Sequence, residues 1–161
     1  MRLRGPRVGL EPLGPEHADR LRELRGAPEV SRWWGPPQEG WPLEAEEELT
    51  KLVVTLGEQV VGFVQVFEER DPDSRYADVD IFIAPEHQDQ GLGTEAFGLV
   101  LAHLFDERGH HRVTLTTSQD NARAVHVYEK LGFRRVGVLR RSQRIQPSGE
   151  WEDELLMELV R

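Results

Sequence analysis

No cysteine occurs anywhere in the chain. Disulfide bridges, thiolate metal sites and a cysteine nucleophile are therefore excluded, and the six histidines show no metal-ligand spacing, so no metal is expected. Uninterrupted apolar runs of membrane length are missing as well, and Met1-Arg2-Leu3-Arg4-Gly5-Pro6 lacks the hydrophobic segment of a secretion signal. A soluble, cytoplasmic protein with no membrane partner is the expectation. Positive charge is in short supply: Lys+Arg 20 against Asp+Glu 29 gives a net charge of -9, which argues against a nucleic-acid partner and suits either a cationic partner or a solubilising surface. Repeats, low-complexity tracts and linkers are also lacking, and 161 residues suit a single domain spanning 1–161, as monomer or homodimer.

What is present organises itself around Gln88-Asp89-Gln90-Gly91-Leu92-Gly93-Thr94. This stretch follows an alternating apolar run, Val79 to Ala84, and precedes a long helical pattern that starts at Thr94. Strand, glycine turn and helix in that order bring consecutive N–H groups and the positive end of a helix close to a ligand, a combination suited to a diphosphate. The dinucleotide fingerprint needs a third spaced glycine and the nucleoside-triphosphate loop needs Gly-Lys-Ser/Thr, and neither is here.

Around that centre, Val8 to Leu13 reads as a first strand and Pro15 to Gly26 as a helix, with a short second helix opening at Pro28. Trp33, Trp34 and Trp41 fall in a stretch dense in proline and glycine that reads as a loop. They can cap the core or form an amphipathic wall for an acceptor. Leu43 to Leu49, rich in glutamate, reads as a solvated acidic helix or the rim of a cation site. A β-hairpin over Lys51 to Phe67 follows, and then a strand from Tyr76 to Ile83 on which Asp78 and Asp80 share one face. The pattern continues with a helix from Thr94 to about Arg108, a strand Val113 to Thr116, a helix capped by Asp120 or Asn121 that ends at Gly132, and a final hairpin from Arg134 to Val160. His110 and His111, just past a helix cap, are expected to be solvated. The order of elements makes an α/β (α+β) sandwich.

Two spaced motifs carry a family resemblance. Gln88-x-x-Gly91-x-Gly93 resembles the Q/R-x-x-G-x-G/A acyl-CoA loop of the GNAT acetyltransferases, and Asn121 to Phe133 is similar to that family's N-x-x-A-x-x-x-Y-E-x-x-G-F segment. The resemblance implies a GNAT-like fold with a mixed, mostly antiparallel six- to seven-stranded sheet and helices on both faces. It further implies acetyl-CoA as co-substrate, backbone groups of Phe82 and Ile83 at the thioester end, and a diphosphate held by Gln88, Asp89, Gln90, Gly91, Leu92, Gly93 and Thr94. Asn121 would contact the pantetheine arm and Tyr128 would lie beside the sulfur.

Acyl transfer to an amine needs an uncharged nucleophile, a donor for the carbonyl oxygen and a proton for the departing thiolate. Without cysteine, direct transfer in a ternary complex is expected. A thiol near pKa 8.5 and a tyrosine near 10 put protonation by Tyr128 uphill by roughly 2 kcal/mol. Asp80, three residues before Ile83, is the candidate on the acceptor side, expected to fix the ammonium and pass its proton through water. Arg32-Trp33-Trp34-Gly35 together with Asp80 is similar to the aminoglycoside 6'-N-acetyltransferases, so the expected acceptor is an aminoglycoside-like polycation bound by Trp33, Trp34, Asp80 and Asp153. Trp151-x-Asp153 is also similar to the enzymes that acetylate N-termini of ribosomal proteins, an alternative acceptor class. A non-enzymatic acyl-CoA-binding regulatory domain is the third reading, which retention of both Tyr128 and Asp80 opposes.

Overall fold

β-branched and aromatic residues concentrate in three segments, which form the antiparallel centre of the sheet in the computed structural model, which describes residues 1–161. These are β3 (Leu49–Leu56), β4 (Gln59–Glu69) and β5 (Tyr76–Ile83), preceded by β1 (Leu3–Arg4) and β2 (Val8–Pro12) and followed by β6 (Arg112–Ser118), β7 (Arg134–Arg144) and β8 (Trp151–Val160). The order across the sheet is β1-β2-β3-β4-β5-β6-β8-β7, and every neighbouring pair is antiparallel except β5 and β6. Eight strands rather than six or seven result, because the two-residue β1 pairs Leu3 and Arg4 with Leu10 and Gly9, too short a run to show in periodicity.

Strand alternation sorts the core into two layers. Leu52, Val54, Val64, Val79 and Ile83 face α3 (Leu92–Ala102) and α4 (Ala122–Lys130), packing with Phe97, Val100, Val125 and Tyr128. Val53, Phe63 and Phe82 face the other way and pack with Leu21 and Leu24 of α1 (Ala18–Gly26) and Val30 of α2 (Pro28–Trp34). Helices thus cover both faces, as the family resemblance implies.

Four local expectations change. Trp33 and Trp34 lie in the last turn of α2, not in a loop: Pro28 opens that helix, and the Trp34 ring packs edge-on against Phe63 and Phe82 at 5.9 and 5.0 Å. Leu43 to Leu49 is not helical. Glu44, Glu46, Glu47 and Glu48 bring like charge without an apolar stripe, and Leu49 is drawn into β3 by pairing with Phe67. α3 starts at Leu92, two residues early, with Gly91 capping it in the left-handed region at φ 78. It continues as a π-helical turn, His103–Glu107, closed by Gly109 at φ 69. His110 is buried, not solvated: its Nε2 lies 2.8 Å from Glu68 Oε1, and hydrogen bonds from Arg108 hold Glu68 down at about 2 against the cost of burial.

Candidate active site

The one parallel pair of strands creates the site. β5 and β6 are in register only at Ala77–Val113 and Asp78–Thr114. Beyond that point they diverge, and Asp80, Ile81, Phe82 and Ile83 on one side and Thr116, Thr117 and Ser118 on the other line a cavity of about 710 Å³. Ala84 N–H bonds Val61 C=O at 2.7 Å, so alternation along β5 turns the N–H and C=O of Ile83 away from β4 and into this split. The Ile83 C=O is taken by the Gln88 side chain, whereas an N–H aimed into the cavity can bind an extended amide-bearing arm by a main-chain hydrogen bond.

The split also joins the two faces of the sheet. On the α3/α4 face, the cavity takes in Gln88, Asp89, Gly91, Leu92, Gly93 and Thr94 of the loop, and Asn121, Arg123 and Tyr128 at α4. Helix geometry leaves the N–H groups of Leu92, Gly93 and Thr94 without intrahelical acceptors, the first such bond being Glu95 N–H to Gly91 C=O at 3.0 Å. A Cβ built on Gly93 would come 3.3 Å from Ile83 Cγ1, so the loop sits directly against the end of β5. Exposed donors at a helix N-terminus, with no side chain at 91 or 93 in the way, fit a coenzyme A diphosphate. Gln88 Nε2 donates to Ile83 C=O at 2.9 Å and ties the loop to the strand. Glu95 anchors the helix start, accepting from Arg7 N–H at 2.8 Å, Val8 N–H at 3.0 Å and Arg7 Nε at 2.8 Å. Asn121 caps α4, its Oδ1 accepting from Ala124 N–H at 3.3 Å.

On the opposite face the lining is acidic: Glu29, Glu46, Asp80, Glu152 and Glu154, beside Trp33, Trp34 and Trp41. Asp80 faces Gln65 directly across the β4–β5 ladder, and Gln65 Nε2 donates to Asp80 Oδ2 at 3.1 Å. Burial first and the Asp78 charge second push the Asp80 carboxyl up to about 6. Asp78 is raised too, by burial, although the Thr114 hydroxyl donates to it at 2.5 Å. Glu152 is raised by burial and by Glu154. These carboxylates repel one another and have too few cations among them, an arrangement that a bound cation relieves. Tyr128 is buried on α4 against Phe97 and Phe133, at 5.5 and 6.2 Å between ring centroids, and its hydroxyl is pushed above the ordinary tyrosine range by burial and by the charge of Asp80.

The cavity therefore brings together the expected Phe82, Ile83, Asp80, Tyr128, Asn121, Trp33, Trp34 and every residue of the loop except Gln90, whose side chain donates instead to Glu86 C=O at 3.2 Å. Asp153 is not brought there. Its carboxylate accepts from Arg141 N–H at 2.7 Å, and its neighbours Glu152 and Glu154 line the cavity in its place. Trp34 and Trp41 cap the core, the first of the two expected roles, and they line the cavity with Trp33. Trp34 and Trp41 pack on Phe63, at 5.9 and 5.2 Å, while Arg25 lies 4.6 Å over Trp41 and bonds Trp34 C=O and Gly35 C=O. The sequence reading missed Gln65, whose signal was its place in the hairpin register opposite Asp80, and Glu152 and Glu154, whose signal was the alternation of β8.

Comparison with known proteins agrees with this geometry. Residues 7–134 match the family model described as acetyltransferase (GNAT) domain. The chain is 30% identical over 139 residues to the spermidine N(1)-acetyltransferase of Escherichia coli K12, an alignment covering 78% of this chain and 72% of the relative. It superposes with a TM-score of 0.84 on Mycobacterium smegmatis RimJ in complex with CoA-disulfide, at 26% identity, covering 99% of this chain and 86% of that one. The spermidine N-acetyltransferase from Vibrio cholerae in complex with CoA and spermine gives 0.83 at 24% identity, covering 97% and 96%, a likeness of fold. With the split strands, the glycine loop against a helix N-terminus and a family match over most of its length, the chain belongs to the GNAT family of acetyl-CoA-dependent N-acetyltransferases.

Proposed function

We propose that the enzyme acetylates a primary amine of a flexible polycation, with spermidine the first acceptor to test. The observation that carries this reading is the acidic acceptor face, where Glu29, Glu46, Asp80, Glu152 and Glu154 line one cavity and Asp80, Glu152 and nearby Asp78 are all raised. Several ammonium groups on one chain satisfy such a surface better than a single one does. Similarity to the Escherichia coli spermidine enzyme supports the polyamine class. The relatives compared above give the aminoglycoside subgroup no support, and acetylation of a protein N-terminus, suggested by the likeness to RimJ, stands as the second reading. The test is a kinetic comparison of spermidine, a kanamycin-like sugar and peptides with free N-termini. Spermidine is expected to show the highest kcat/KM, and a peptide exceeding it would move the assignment to protein acetylation.

In this reading acetyl-CoA brings the acyl group as a thioester, and the thiol leaves needing a proton. Asp80, held through Oδ2 by Gln65, keeps its other oxygen for the ammonium and takes its proton, directly or through water. At about 6 its carboxyl stands some two units closer to an amine than an unperturbed aspartate does, which makes it a better base while leaving it ionised at neutral pH. Once Asp80 is protonated, its charge no longer raises Tyr128, so the hydroxyl becomes a better donor as the thiolate departs.

The pH dependence follows from that assignment. The active form has Asp80 ionised and the amine protonated, so kcat/KM is expected to be flat above about pH 6 and to fall tenfold per unit as pH drops below it. Asp80→Asn removes the base at nearly constant size. Activity near neutral pH is expected to drop roughly 10²- to 10³-fold, with the break near pH 6 gone and the residual rate following amine deprotonation. A variant retaining that break, or full activity, would remove Asp80 from the mechanism.

A further inference from the structure

An aspartate inside a diphosphate loop is out of place, since a carboxylate beside a diphosphate repels it. Asp89 nevertheless lines the cavity between Gln88 and Gly91, and its backbone is held at φ 60, in the left-handed region that few residues other than glycine adopt. Across the cavity mouth, Arg123 of α4 reaches back to it: Nε lies 3.2 Å from Asp89 Oδ1, and Nη1 donates to Gln88 Oε1. Arg123 is the second residue of α4, whose first turn holds no acidic residue, so its cation sits at the end of the helix where the macrodipole disfavours it. Local structure gives no reason for an arginine there. Exposed ion pairs of this kind contribute little to folding, and both side chains are more than half exposed, at 56% and 71%.

We infer that Arg123 is a ligand for the coenzyme's diphosphate and that Asp89 holds the guanidinium ready when the coenzyme is absent, so that the Asp89–Arg123 pair sets coenzyme affinity. This rests on reading Gln88 to Thr94 as the diphosphate loop. On binding, the guanidinium exchanges a carboxylate oxygen for diphosphate oxygens, which it can grip through two parallel N–H donors. Gln88 links this exchange to the chemistry, because its amide accepts from Arg123 at one end and donates to Ile83 C=O at the other. The arginine then neutralises charge that Asp89 would otherwise oppose, and release of the coenzyme returns it to Asp89. The aspartate costs affinity and in exchange provides for product release.

The test is calorimetry on the full chain with three probes: coenzyme A, dephospho-coenzyme A lacking the 3'-phosphate, and pantetheine lacking the diphosphate. Arg123→Gln is expected to weaken coenzyme A and dephospho-coenzyme A equally, by roughly tenfold, and to leave pantetheine unchanged. Asp89→Asn, which keeps a residue tolerant of positive φ, is expected to tighten coenzyme A by roughly threefold or more and also to leave pantetheine unchanged. Thermal melts without ligand check that both variants are folded. Unchanged coenzyme A affinity in folded Arg123→Gln overturns the inference. So does a loss shared equally with pantetheine, which would mean a displaced α4, and so does a loss confined to probes bearing the 3'-phosphate. Weaker or unchanged binding by folded Asp89→Asn removes the competing role. A wild-type chain that binds pantetheine as tightly as coenzyme A would sink the reading of the loop itself.

Discussion

Tyr128→Phe is expected to lower the maximal rate by roughly 10²- to 10⁴-fold while leaving coenzyme affinity within a few-fold of wild type. The substitution removes one oxygen and keeps the ring, and the ring is what packs: Tyr128 lies against Phe97 at 5.5 Å and is one of the buried residues of the larger core layer. Tyr128 also lines the cavity, and its hydroxyl stays protonated at any working pH, since burial and Asp80 both raise it. A group that never ionises in the resting enzyme is a poor base and a standing donor. Its handicap is that full transfer to a thiolate is more uphill than for an ordinary tyrosine, which already costs roughly 2 kcal/mol. Protonation of Asp80 before the transfer removes the electrostatic part of that cost, while the larger part, from burial, remains. The proposed order therefore predicts strong coupling: adding Asp80→Asn to Tyr128→Phe is expected to cost much less than the sum of the two single effects. Pre-steady-state measurement of thiol release under conditions where chemistry limits turnover is the check. A Tyr128→Phe enzyme with an undiminished chemical step would leave Tyr128 as packing alone.

What could be read from the sequence depended on whether a residue's place is set locally or by a distant strand. Gly91 caps and Gly93 opens the helix that follows β5, so their placement follows from neighbours in the chain. Tyr128 and Asn121 share one helix turn pattern, and Asp80 is placed by counting back from Ile83. Gln65 needs the hairpin register across Glu69 to Tyr76, and only the pairing of Gln65 with Asp80 turns it toward the carboxylate. The acidic residues of β8 illustrate the limit better. Choosing Asp153 over Glu152 and Glu154 amounts to choosing a face, and that face is set by the pairing of Ser118 with Glu154 and Thr116 with Leu156, 36 and 40 residues apart in sequence. A one-residue error in parity moves the carboxylate from the cavity to Arg141 N–H. The parting of β5 from β6 could not be read at all, because nothing in either strand's composition says that parallel pairing ends after Asp78 and Thr114.

Gly91→Val is expected to weaken coenzyme A by roughly 10²-fold or more, and the structure separates two reasons for this. The first is backbone strain. Gly91 caps α3 at φ 78, where a β-branched residue costs roughly 1–2 kcal/mol, so the variant melts lower even without ligand. The second is obstruction. The N–H groups of Leu92, Gly93 and Thr94 open onto the cavity immediately after residue 91, and a side chain there stands where an anion has to approach them. Losing two charge-assisted hydrogen bonds at roughly 1.5–3 kcal/mol each gives 10²- to 10⁴-fold in affinity. A Cβ at 91 would also come 3.2 Å from Arg7 Nη2, the end of a flexible side chain that can move aside, so the clash with the protein is minor and the obstruction falls on the ligand. Gly91→Asn distinguishes the two causes, since asparagine tolerates the left-handed region but still carries a side chain. It is expected to recover most of the lost stability and little of the lost affinity, as read by melting temperature and by calorimetry with coenzyme A. If Gly91→Asn instead bound coenzyme A as tightly as wild type, the glycine would be kept for backbone conformation alone, and the diphosphate would have to be held elsewhere than on the N-terminus of α3.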